Sequence, residues 1–175
     1  MMKWTTQLRY LTAVLPLAAV LALPANGAGQ HAMARAALSN PDVTQAIALE
    51  TRATELLQSV DGWDEAIGLL RQASNLRPAG DEVASEDRML AGRLAFYTGD
   101  GLRAIVDLQT AAAQALVCDK PFTAAQAYLD AAWVAVALEL PEDSQHFAAQ
   151  ASRLAAYEWM TPAQVQQIHR RLTGD

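Results

Sequence analysis

Alanine outnumbers every other residue in this chain and is spread along its length. It is the strongest helix former and the smallest side chain that still fills space, so such a chain folds as helices packed at short range. Nowhere do β-branched residues alternate with polar ones over the length of a strand, and the fold class predicted is all-α. The 175 residues suffice for one domain, or for one domain plus a targeting segment. With 52% hydrophobic residues and only 9 Gly and 7 Pro, the composition excludes wholesale disorder and collagen-like or low-complexity sequence.

Residues 1–27 read as a secretory signal peptide. Lys3 and Arg9 make the n-region positive, residues 11–23 form a short apolar run holding Pro16, and Ala25-Asn-Gly27 sets small residues before a cleavage point near Gly27/Ala28. The apolar run is too short for a spanning helix, which needs about 20 residues. The single cysteine, Cys118, lies far from that point, which argues against a lipid anchor, and no twin arginine precedes the apolar run. The expected location is therefore periplasmic or extracellular, with no stable membrane insertion after cleavage. Loss of this segment removes two of 13 basic residues and no acid, so the formal charge moves from −6 to −8. A chain this acidic is not expected to bind nucleic acid.

Residues 28–40 read as a linker or frayed helix, and 41–175 as the folded domain. Asn40-Pro41-Asp42 is a helix start, with a capping Asn, Pro in the first turn and an acid beside it. Seven helices are expected, over about 42–59, 62–76, 81–98, 101–116, 121–139, 141–157 and 162–172, separated by Gly, Pro and Asp clusters. Helices of this length joined by short turns pair antiparallel.

The pairs repeat. The second helix carries Ala66, Ile67, Leu70 and Ala73 and closes on Pro78; the fourth carries Ala104, Ile105, Leu108 and Ala111 without a closing proline; the sixth carries Phe147, Ala148, Ala151, Leu154 and Ala155. Gly92 within Leu90–Leu94 supplies the small residue that the first helix of a hairpin needs at its contact with the second. This pattern resembles the tetratricopeptide repeat. The copies are spaced 38 and 43 residues apart (Ala66 to Ala104, Ala104 to Phe147), against about 34 in the family. The extra residues are expected in the connections at 79–87 and 116–123. The resemblance implies a short right-handed solenoid of about three stacked antiparallel hairpins, closed by residues 162–172 as a capping helix with His169, Arg170 and Arg171 at its end.

Residues that carry chemistry are sparse. One cysteine rules out an internal disulfide, an iron–sulfur cluster and a cysteine-based structural zinc site. His31, His146 and His169 stand far apart, and no phosphate-binding, hydrolase or metalloprotease motif is present. The acid pairs Asp64-Glu65, Glu86-Asp87 and Glu142-Asp143 fall in first turns, where they suit the helix dipole. The reading is therefore non-catalytic, with no metal and no cofactor.

In tetratricopeptide proteins the first helices of successive hairpins line a groove that binds peptides or partner helices. The resemblance places Thr51, Arg52 and Glu55 on that face, then Met89, Arg93, Phe96 and Tyr97, then Leu129, Trp133 and Val136. Arginines beside aromatic rings suit a peptide carrying a carboxylate. Trp63 and Trp159 are expected to pack inside. The leading expectation is a secreted or periplasmic adaptor that binds protein or peptide. Two alternatives stay open. One is a homo-oligomeric structural module of the cell envelope, a homodimer through the apolar fifth helix at 128–140. The other is an accessory cell-wall enzyme, which needs two carboxyls facing across a cleft.

Overall fold

Seven α-helices follow one another in the computed structural model, which describes residues 40–174; the expected signal peptide and most of the linker lie outside them. They are α1 (Pro41–Leu56), α2 (Trp63–Leu76, entered through a 3-10 turn at Val60–Gly62), α3 (Glu82–Tyr97), α4 (Gly101–Val117), α5 (Pro121–Ala137), α6 (Pro141–Ala155) and α7 (Pro162–Thr173). No strand occurs among the described residues. The all-α reading and the number of helices hold.

Side chains set the helix starts. Asn40 accepts the Asp42 N–H at 3.0 Å, Asp81 accepts from Val83, Asp100 accepts from Arg103, and Thr161 with Gln164 forms a capping box. Proline occupies the first turn of α1, α5, α6 and α7, where its missing N–H costs nothing.

Three consecutive connections are built alike. Residues 98–100, 118–120 and 138–140 join α3 to α4, α4 to α5 and α5 to α6. In each, the third residue donates its N–H back five residues, Asp100 to Ala95, Lys120 to Ala115 and Leu140 to Ala135, at 2.8–2.9 Å. The middle residue has positive φ in all three: Gly99 at 96°, Asp119 at 55° and Glu139 at 59°. This is the left-handed helix end that Gly adopts freely and other residues adopt at a cost. The expected insertions at 79–87 and 116–123 are therefore not loops. Only residues 77–81 and 118–120 are non-helical there, and the extra length extends the helices, α4 and α5 reaching 17 residues each.

Each helix packs on the next in sequence, as stacked hairpins do. The odd-numbered helices also reach past their neighbours, α3 to α5 and α5 to α7, and no comparable contact joins the even-numbered ones. Alanines carry the close approaches: Ala66, Ala73, Ala104, Ala111, Ala131 and Ala135 are fully buried. Ile67, Leu70, Leu108, Phe147 and Leu154 fill the volume between them. Leu129, expected on the open face, is buried in the core, and Trp159, expected inside, is 69% exposed. The apolar fifth helix packs on α4 and α6, with α3 and α7 adding contacts, and leaves Trp133 and Val136 exposed.

Gly92 lies at a close approach of α3 to α4. A Cβ there would stand 2.9 Å from Leu108 Cγ and 3.1 Å from the Ala104 carbonyl oxygen. Gly68, on the open side of α2, has nothing within 4 Å. Gly92→Ala is expected to destabilise by about 1–3 kcal/mol, and Gly68→Ala to stabilise by about 0.5–1 kcal/mol through helix propensity. Denaturant midpoints of the two variants check the opposite signs.

Two ionic knots tie the hairpins together. Asp107 on α4 is buried; Arg71 of α2 donates to it from Nε at 2.8 Å and Nη2 at 2.5 Å, and Arg88 of α3 from Nη1 at 3.2 Å. Arg88 also donates to Asn75. In the second knot Arg77 donates to Glu50 of α1 at 2.6 and 2.8 Å and to Asp81 at 2.7 Å. Burial pulls the Arg77 guanidinium down, but the hydrogen bonds to Asp81 and Glu50 outweigh it and the net shift is upward. Asp87 lies 3.8 Å from Arg77 Nε, with its Oδ2 buried and without a hydrogen bond. Burial and the neighbouring Glu50 push its carboxyl up to about 8.

Candidate functional site

Helices α2, α3 and α5 bring four aromatic rings into one line. Trp63 at the start of α2 meets Tyr97 edge-on at 6.4 Å between ring centres, Tyr97 meets Phe96 at 5.8 Å, and Phe96 meets Trp133 of α5 at 4.8 Å. Edge-to-face contacts of this kind hold rings in place while leaving faces free. Phe96 and Trp63 are half-buried against the core, whereas Tyr97 and Trp133 are 49% and 46% exposed, and Val136 next to Trp133 is exposed as well.

Beside the rings lies a three-residue ion network. Arg93 of α3 donates to Asp130 Oδ2 of α5 at 2.7 Å, and Arg171 of α7 donates to Oδ1 of the same carboxylate at 2.5 Å. One carboxylate thus serves two guanidinium groups, and the trio keeps one positive charge in an acidic chain. Each arginine is more than a third exposed, so its remaining N–H groups face solvent. Arg93 also contacts the Met89 sulfur at 3.6 Å, and Met89 packs against the core beneath.

Five of the expected residues, Met89, Arg93, Phe96, Tyr97 and Trp133, therefore share one surface, which Val136 extends. Arg52 and Glu55 do not enter it: they pair with each other at 3.0 Å, and Arg52 approaches Glu65 of α2 at 4.0 Å. Asp130 and Arg171 were missed from sequence. Asp130 is the only charged residue of α5, and a lone acid on an apolar helix was the available signal. Arg171 suited the helix end and gave no sign of a partner 41 residues away.

The remaining candidates show no built chemistry. Burial pushes the Cys118 thiol up, and Asp81 and Glu82 add to the shift, the reverse of what a nucleophilic thiolate needs. Glu86 is likewise raised, by burial and then by Glu82. Among the described residues no group of three or more His, Cys, Asp and Glu could hold a metal ion. None of the described helices is long and apolar enough to cross a membrane. No protein-family model matches this chain, and no curated protein matches it.

Proposed function

We propose that the chain is a tetratricopeptide-like adaptor, secreted or periplasmic and non-catalytic, that binds an extended segment of a protein partner on the α3–α5–α7 face. The observation that carries this reading is the line of rings in which Tyr97 and Trp133 are half-exposed, set against Arg93 and Arg171 with one unneutralised charge. Aromatic and arginine side chains are the residues that most often dominate binding energy at interfaces. The charge favours a segment with a carboxylate, which an arginine can hold through two N–H groups. The small-residue contacts within hairpins, Gly92 above all, support the repeat assignment.

The test is capture of partners from an envelope extract of the source cells, followed by affinity measurement with the purified partner. Trp133→Ala is expected to weaken binding at least tenfold, equivalent to about 1.4 kcal/mol, with unchanged helicity. Arg93→Gln is expected to weaken it further, most strongly at low salt. Affinity that neither substitution changes sinks the reading.

A further inference from the structure

Independently of the aromatic face, we infer that α1 is latched by a proton shared between Asp87 of α3 and its own Glu50, and that loss of this proton releases α1 while the later helices stay packed. The geometry starts from Asp87, which is 8% exposed and whose Oδ2 is buried with no hydrogen-bond donor. Arg77 Nε stands 3.8 Å away, beyond hydrogen-bond range, and Arg77 spends its N–H groups on Glu50 and Asp81. Glu50 does lie within hydrogen-bonding reach of Asp87. Two carboxylates only accept, so their contact becomes a bond when one of them carries a proton. Both Arg77 bonds to Glu50 end on Oε1, which leaves Oε2 for that proton.

The charges around Asp87 favour the protonated pair. Glu50 faces it from α1, Arg77 and, through Arg77, Asp81 from the α2–α3 connection, and Glu86 from α3. Lys120, before α5, is paired with Glu82 at 2.6 Å, and Arg88 is taken up by Asp107 and Asn75. One guanidinium therefore stands among more carboxylates than it can neutralise. Burial first, then Glu50, push the Asp87 carboxyl up to about 8. Above that pH an ionised Asp87 stays buried without a donor, and only water can relieve it. The departure of α1 admits water. This helix packs on α2 and makes no comparable contact with any later helix, whereas α3 to α6 each pack on two neighbours. Its buried side chains are Val43, Ala46 and Ala53, a small apolar anchor. Its other ionic tie, Arg52 to Glu65 of α2, is exposed and 4.0 Å long. An end element held this weakly opens at a lower free energy than the whole domain.

The test is amide hydrogen exchange on the protein purified in the form its source cells accumulate, at about pH 6 and about pH 9.5, with rates corrected for the intrinsic effect of pH. Protection of α1 is expected to fall at least tenfold at the higher pH, and that of α5 to stay unchanged. Asp87→Asn, whose amide donates to Glu50 at either pH, is expected to keep α1 protected throughout. Glu50→Gln, whose amide accepts from Arg77 and donates to Asp87, is expected to do the same and serves if Asp87→Asn folds poorly. Equal α1 protection at the two pH values in the wild type overturns the inference. A fall shared by α5 also overturns it, because the whole domain then loosens. A fall that persists in either folded variant places the titrating group elsewhere and overturns it too.

Discussion

Asp107→Ala is expected to be the most damaging single substitution in the chain. Asp107 is only 3% exposed and holds Arg71 and Arg88, which come from two other helices. Removing it leaves two mostly buried guanidinium groups without their counter-charge, and Arg88 Nε is already buried without a hydrogen bond. Breaking a buried pair from one side costs about 3–5 kcal/mol, because the stranded charge keeps its desolvation penalty. Domains of this size hold about 5–15 kcal/mol in total. Denaturant unfolding is expected to show a midpoint lowered by at least a third, and the double variant Arg71→Ala/Asp107→Ala is expected to lose less than the sum of the single losses. A loss below about 1 kcal/mol means that the knot behaves like a surface ion pair.

The second large effect is a dependence on pH. Asp87 stands among Glu50 of α1, Arg77 after α2 and Glu86 beside it in α3, and the same Arg77 also holds Asp81. One guanidinium cannot neutralise all of these carboxylates, and Arg77 spends its hydrogen bonds on Glu50 and Asp81. Asp87 therefore keeps its proton in the folded state up to about 8, against 3.8 for the free side chain. Between those values the folded chain holds a proton that the unfolded chain has released. The resulting stabilisation is complete below 3.8, declines as pH rises, and is gone above about 8. Asp87→Asn supplies a group that is neutral at every pH. It is expected to be more stable than the wild type at pH 8 and to lose that advantage progressively towards pH 4. Parallel stability curves for the two proteins would show that Asp87 carries no raised ionisation.

Much of this architecture was legible in the sequence, and the reason is local. Asn40-Pro41, Asp81 and Thr161-Pro162 announce helix starts in their own chemistry, and Ala66, Ile67, Leu70 and Ala73 announce a buried stripe by spacing alone. Gly92 as the hairpin contact was readable for the same reason. The turns at Asp119 and Glu139 were not, because neither residue advertises a left-handed backbone; the hydrogen bonds around them impose it. The site divides along the same line. Phe96, Tyr97 and Trp133 follow from which helices share a face. Asp130 with Arg171, and the knots around Asp107 and Arg77, depend on which distant side chains meet, and no periodicity encodes that. Leu129 and Trp159 exchanged their expected places for a related reason. Leu129 lies on the α5 arc that faces its neighbours, whereas Trp159 lies in the connection before α7, where it bonds only to Glu158 at 2.9 Å.

The three like-built connections have Gly99, Asp119 and Glu139 at their centres, spaced evenly by 20 residues. Even spacing means that every helix between them spends the same length of chain and ends at the same level. A segment of two such steps, one helix out and one back, starts and finishes with the same backbone exit. It can be copied or deleted whole without shifting the phase of anything downstream, whereas gain or loss of a single residue inside it rotates every later side chain by about 100°. A gene of this design changes length easily in whole hairpins and hardly at all in smaller units.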